Sequence, residues 1–300
     1  MVDCSRDELT RHRIVVGVTA PEGSRAPLEW AMAEAARRDV ALDVVHSFKT
    51  GWEVTPQGVP AISLDLSPHE VAAKTLIDEA IDLVPAARRS AVCDIQHLAT
   101  PLSAGSALVE ASTDAELLVV GRRERHTLPR LLGSITHQCV QHSRSPVAVV
   151  PIDWQYRPPE LIVVGVDGSR PSARALSWAL EEAARWEAQL IVAHTWTTPY
   201  PVEPWGMVVA PTDRSLFESS SQHLIDQTLA DALQSGAPEP RTWKPEVVED
   251  ASGPGLVRIA AAADLLVVGS RGRGGFASLF LGSTSLQCLH HATCPVVVTR

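Results

Sequence analysis

The chain has little lysine. Only Lys49, Lys74 and Lys244 occur, so the 26 basic residues are nearly all arginine, the side chain that grips phosphate oxygens in a bidentate fork. Basic charge is outnumbered by 35 acidic residues, and a net charge of −9 excludes a broad nucleic-acid surface, which needs positive charge to release counterions. The five cysteines, Cys4, Cys93, Cys139, Cys288 and Cys294, are odd in number and contain no Cys-x-x-Cys, which argues against a disulfide framework. No apolar run approaches the roughly 18 residues of a membrane span. Residues 1–13 are charged and lack the apolar stretch of a signal peptide, so the expectation is a cytoplasmic protein. What is present, 45% hydrophobic and 20% charged residues over 300 positions, suits two globular domains of about 150 residues.

Those two domains are a repeat. Ile14-Val15-Val16-Gly17-Val18 matches Ile162-Val163-Val164-Gly165-Val166, 148 residues on, and the same offset aligns Trp30 with Trp178, His46 with His194, Gly105 with Gly253 and Gly121 with Gly269. Past Gly121 the offset becomes 149, aligning Gly133-Ser134 with Gly282-Ser283 and Cys139 with Cys288. Each half alternates short apolar runs, read as strands buried on both faces, with amphipathic helices. Strands are expected near 14–18, 41–47, 92–98, 116–120 and 147–150, and near 161–166, 189–195, 243–249, 264–269 and 295–299. A helix is expected over 172–186 with Ser172 as its N-cap. The βαβ order predicts an α/β fold, an open doubly wound parallel sheet in each half. The reading gives a first domain over 1–152, a linker over 153–160 containing Pro158-Pro159, and a second domain over 161–300. Residues 48–68 and 196–213 read as long loops after the second strand of each repeat.

The second half carries the chemistry. Gly269-Ser270-Arg271-Gly272-Arg273-Gly274-Gly275 follows an apolar strand, and Gly282-Ser283-Thr284-Ser285 opens a helix. Glycine backbone, hydroxyls, arginines and a helix N-terminus converging at one place make a phosphate cradle. Two absences limit its type. No acidic residue follows Asp264, so the carboxylate of a dinucleotide fold is missing, and no Gly-Lys pair exists to make a Walker A loop.

The spacing Gly269-x2-Gly272-x9-Gly282-Ser283, with Val164-Gly165-Val166-Asp167 on the first strand, resembles the nucleotide motif of the ATP-binding universal stress proteins, in their tandem-domain form. The resemblance implies two tandem open doubly wound parallel five-stranded sheets of the adenine nucleotide α-hydrolase-like kind. It implies ATP, with Mg²⁺ as an accompanying ion, across the ends of the first and fourth strands of the second half. Gly165 and Asp167 are then placed beside adenosine and phosphates, Thr195 near adenine, and Gly269 to Gly275 with Ser283 to Ser285 around ribose and phosphates. It further implies a stress-response regulator whose nucleotide state alters conformation or binding of an unidentified protein partner, with little or no hydrolysis, and a homodimer.

The first half keeps Gly17, Gly121, Gly133, Ser134 and Thr136 but has Thr19 for the Asp, Glu124 for the second Gly and one residue fewer in the loop, so it is expected to bind nucleotide more weakly. Histidines 46 and 194 read as structural hydrogen-bonding residues, and Cys139 and Cys288 as buried small hydrophobes. Two other classes stay open: a nucleotide-free interaction module, and an ATP-consuming enzyme of the same broad fold. The latter lacks its Ser-Gly-Gly-x-Asp-Ser loop or His-x-Gly-His pair.

Overall fold

A computed structural model describes residues 12–49, 52–54, 60–62, 66–122, 132–197, 214–273 and 281–300. It divides into unit 1, Met1–Tyr156, and unit 2, Arg157–Arg300. Unit 1 runs β1 (Arg13–Val18), α1 (Pro21–Arg38), β2 (Ala41–Ser47), β3 (Trp52–Val54), β4 (Pro60–Ile62), α2 (Ser67–Asp82), α3 (Ala86–Arg89), β5 (Ile95–Thr100), α4 (Ala104–Ala111), β6 (Leu117–Arg122), α5 (Ser134–His142) and β7 (Val147–Pro151). Unit 2 follows with β8 (Leu161–Gly165), α6 (Arg170–Trp186), β9 (Gln189–Trp196), α7 (Arg214–Gln234), β10 (Trp243–Glu249), α8 (Ser252–Ile259) with a short 3-10 turn (Ala260–Ala262), β11 (Leu265–Gly269), α9 (Ser283–His291) and β12 (Val296–Thr299).

Within unit 1 the parallel strand order is β7-β6-β1-β2-β5, and within unit 2 it is β10-β9-β8-β11-β12. Ile14, Leu117, Leu118, Ile162 and Val267 are fully buried because helices cover both faces, and this is why these strands read as unbroken apolar runs. In unit 1, α1 packs on α2 and α4 on α5; in unit 2, α6 packs on α7 and α8 on α9. The chain leaves the first strand of each unit toward one side of the sheet and later returns to the other. A crevice therefore opens beyond the carboxyl ends of β1 and β6, and of β8 and β11.

Local sequence explains the helix ends. Helix α6 is capped by Ser169, whose hydroxyl accepts from the Ser172 amide at 3.3 Å, so the N-cap stands three residues before the expected Ser172. Helices α1 and α6 both end on an acidic residue in the left-handed region, Asp39 at φ 56° and Glu187 at φ 54°. Unit 1's third sheet strand begins at Ile95 rather than 92, since Val92 is buried and Asp94 accepts the Leu42 amide ahead of the ladder. Part of the expected 48–68 loop forms an antiparallel pair, β3 with β4. No described helix is long and apolar enough to cross a membrane.

The segment read as a linker is shared between the units. In unit 1 the Arg88 guanidinium lies 4.1 Å from the centre of the Tyr156 ring. In unit 2 the buried Asp264 carboxylate receives the Arg157 side chain and the amides of Glu160 (2.9 Å) and Leu161 (3.0 Å).

Candidate functional site

Unit 2 holds a cleft of about 540 Å³ at the carboxyl edge of its sheet. Four stretches build it: the end of β8 with Gly165 and Asp167, the end of β9 with His194 and Thr195, the turn after β11 with Gly269 to Arg273, and the α9 N-terminus with Gly282 to Ser285. Of the residues predicted from sequence, Gly165, Asp167, Thr195, Gly269, Arg271, Gly272, Arg273, Gly282, Ser283, Thr284 and Ser285 all line it. Ser270 does not. It is buried beneath the floor, where its amide donates to Thr299 O at 2.7 Å and its carbonyl accepts from the Gly282 amide at 2.7 Å, so its role is to tie the turn to β12 and to α9. Gly274 and Gly275 lie outside the described residues.

Asp167 organises the cleft mouth. Its Oδ1 accepts the Ser169 amide at 2.9 Å, and its Oδ2 accepts the Arg273 amide at 3.0 Å, which ties the turn after β8 to the turn after β11. Burial pushes its pKa up, but hydrogen bonds from Ser169, Ser172 and the Arg273 amide outweigh that and hold it below its ordinary value. The carboxylate is thus ionised and already engaged, a structural duty that a ligand role alone does not explain. Gly168, at φ 74°, provides the left-handed turn that brings the chain past Arg273. Gly269 makes the closest backbone approach: a Cβ there would stand 2.7 to 2.8 Å from Pro171 C and O and Ser172 N. At the far wall, Gly282 is the N-cap of α9 with no side-chain cap hydrogen bond. The first-turn amides of Ser283, Thr284 and Ser285, residues that line the cleft, therefore have no intrahelical acceptor. The Ser285 hydroxyl hydrogen is committed to Gly269 O at 2.6 Å, which leaves that residue's amide as its donor toward the cleft.

Unit 1 has a counterpart of about 360 Å³, lined by Gly17, Gly121, Gly133, Ser134 and Thr136, all predicted, and by Thr19. Several scaffold contacts are duplicated. A Cβ on Gly17 would meet Leu108 Cδ1 at 2.8 Å, and one on Gly165 would meet Leu256 Cδ1 at 2.7 Å. Thr136 donates to Gly121 O as Ser285 does to Gly269 O. His46 Nδ1 bonds Val18 O at 3.0 Å, and His194 Nδ1 bonds Val166 O at 2.7 Å, the structural role read for both histidines. Ser24, and the part that Ser172 plays at the cleft in place of the expected cap, escaped the sequence reading. Each hydroxyl accepts the amide of the residue five earlier and donates to a carbonyl of the same turn, shaping the floor beside the cleft. The repeat offset was the signal, because both are serine. Leu256, Ser252 and Leu281, also unflagged, complete the unit 2 lining. Among the described residues no cluster of His, Cys, Asp and Glu could hold a metal ion.

An open parallel sheet with a glycine-bordered cleft at its switch point places the protein among the doubly wound α/β proteins. The chain belongs to the Universal stress protein family, whose model matches residues 10–151 and again 160–300. It is 33% identical over 298 residues to universal stress protein Rv2005c of Mycobacterium tuberculosis, covering 97% of either chain. It is 31% identical over 300 residues to universal stress protein Rv2623 of the same species, covering 96% of either chain. A solved universal stress protein from Archaeoglobus fulgidus matches with a TM-score of 0.69 at 15% identity, covering 96% of this chain and 98% of that one, a likeness of fold.

Proposed function

We infer that the protein is an ATP-binding regulator of the stress response, in which nucleotide occupancy of the unit 2 cleft controls conformation or the binding of a protein partner or second copy, with little or no turnover. One observation carries this reading: the first turn of α9, the turn Gly269 to Arg273 with its arginines 271 and 273, and Thr195 of β9 line a single cleft. That arrangement fits a molecule with a polyphosphate at one end and a base at the other. The phosphates would meet the α9 amides and the arginines, and Mg²⁺ would accompany them as their counter-ion.

The test is calorimetric titration of the full chain with ATP and AMP, beside Gly282→Glu. A Cβ at Gly282 would stand 3.3 Å from Arg271 Cα and 3.4 Å from Ser270 O, so the turn after β11 must give by a few tenths of an ångström and the fold of the variant is checked first by circular dichroism. ATP should bind more tightly than AMP, and Gly282→Glu should abolish ATP binding. A Gly282→Glu protein that is folded by circular dichroism and binds ATP at the wild-type affinity sinks the assignment.

A further inference from the structure

Asp167 lines the unit 2 cleft, yet a carboxylate is a like charge beside the phosphates that the cleft is inferred to hold. Its geometry resolves the conflict. Oδ1 accepts the Ser169 amide and Oδ2 the Arg273 amide, so each oxygen is engaged by the main chain of a different turn. Oδ2 also fills the space over residue 272: a Cβ on Gly272 would collide with it and stand 3.5 Å from Asp167 Cγ. Two more ties run alongside. The Ser169 hydroxyl donates to Arg271 O at 3.4 Å, and the Arg273 side chain lies on Gly168, where a Cβ would stand 2.9 Å from its Cζ. Arg271, Gly272 and Arg273 thus each rest on Asp167, Gly168 or Ser169. All three are exposed, so burial does little to fix this turn and the ties to the β8 end do most of it.

In the unit 1 sequence the two partners change together. Thr19 stands for Asp167 and Glu124 for Gly272, although the Thr19 amide still donates to Ser24 Oγ as the Asp167 amide does to Ser172 Oγ. The main-chain turn is kept, while the carboxylate and the glycine that makes room for it are both gone. Residue 124 itself lies outside the described residues.

We propose that Asp167 is a positioning residue for the bound anion: through the Arg273 amide, and in the room left by Gly272, it fixes the turn that brings Arg271 and Arg273 to the ligand's phosphates, and it does not itself contact the ligand. The proposal rests on the reading of the unit 2 cleft as a nucleotide site. By charge alone, neutralising Asp167 would strengthen the binding of any anion. Loss of the tie acts the other way and prevails, because a turn that is no longer preorganised must be ordered again by the ligand.

Asp167→Asn is isosteric but offers one acceptor oxygen where two amides each need one. The full chain is titrated by calorimetry in EDTA with ATP, inorganic tripolyphosphate and adenosine. Asp167→Asn should weaken ATP and tripolyphosphate about tenfold and leave adenosine within about twofold. Gly272→Ala, which presses on Oδ2, should weaken the same two ligands, and the double variant should bind little worse than either single one, since both act through one contact. Tripolyphosphate bound as tightly or more tightly by folded Asp167→Asn overturns the proposal, because the carboxylate would then act only by its charge. Adenosine weakened as much as ATP overturns it in favour of a contact with the nucleoside, and a loss that appears only when Mg²⁺ is added overturns it in favour of the ion. Fully additive losses in the double variant overturn the coupling to Gly272. Wild-type protein that binds tripolyphosphate but not ATP refutes the nucleotide reading alone, and wild-type protein that binds neither refutes both.

Discussion

Replacing Asp167 with alanine removes the acceptor of two backbone amides, those of Ser169 and Arg273 at 2.9 and 3.0 Å. Hydrogen bonds to a charged acceptor are worth about 1.5–3 kcal/mol each when buried. Arg273 is exposed and Ser169 half-buried, so water replaces part of each bond, and the loss should be about 2 kcal/mol in total. For a unit of this size that is roughly a 6 °C fall in the unit 2 melting temperature by scanning calorimetry of the full chain near neutral pH. The effect should also titrate. Because the folded-state pKa of Asp167 lies below its ordinary value of 3.8, the carboxylate's contribution is complete above that value and is lost as pH falls through the lower, folded one. The gap between wild type and Asp167→Ala should therefore be constant from neutral pH down to about pH 5 and close in stronger acid. A gap that keeps its full size in stronger acid, or no gap at neutral pH, would show that the carboxylate does not hold the two turns together.

Two further outcomes follow from the same geometry. Gly269→Ala forces a Cβ against the Pro171 and Ser172 backbone and should cost about 1–3 kcal/mol in urea unfolding, whereas Gly133→Ala, whose nearest neighbour is Thr136 Oγ1 at 3.9 Å, should stay within about 0.5 kcal/mol; equal effects would contradict the close approach at β11. Burial pushes the Cys139 and Cys288 thiols up to about 12, so iodoacetamide at pH 8 should label the exposed Cys93 and leave both unmodified in the native protein. Early modification of either on mass analysis would show that these helices open.

The sheet was legible because both of its faces are covered: Ile14-Val15-Val16 and Leu265-Leu266-Val267-Val268 have no polar alternation, and the repeat aligned each strand with its twin. The glycine spacing located the cleft for a similar reason, since a strand end and a helix start leave local marks. Ser270 was misplaced because a serine inside a glycine turn looks the same whether its chain passes over the cleft or beneath it, and only the pairing with Thr299 and Gly282 decides. The second duty of Asp167 was invisible because its partner amide is 106 residues away. The cap of α6 moved to Ser169 because serines three residues apart both fit the pattern, and the hydrogen bond runs between them.

The Asp264 carboxylate has a practical meaning for anyone who separates the repeats. Prolines 158 and 159 invite a cut just after them, yet a unit begun at residue 161 would lose the Arg157 side chain and the Glu160 amide and leave a buried carboxylate short of two of its donors. Losing two of its donors in this way weakens the fold by about 1–3 kcal/mol and would pass for an intrinsic frailty of unit 2. The severance that respects the chemistry falls between Tyr156 and Arg157, where each half keeps the residues that fasten its own end.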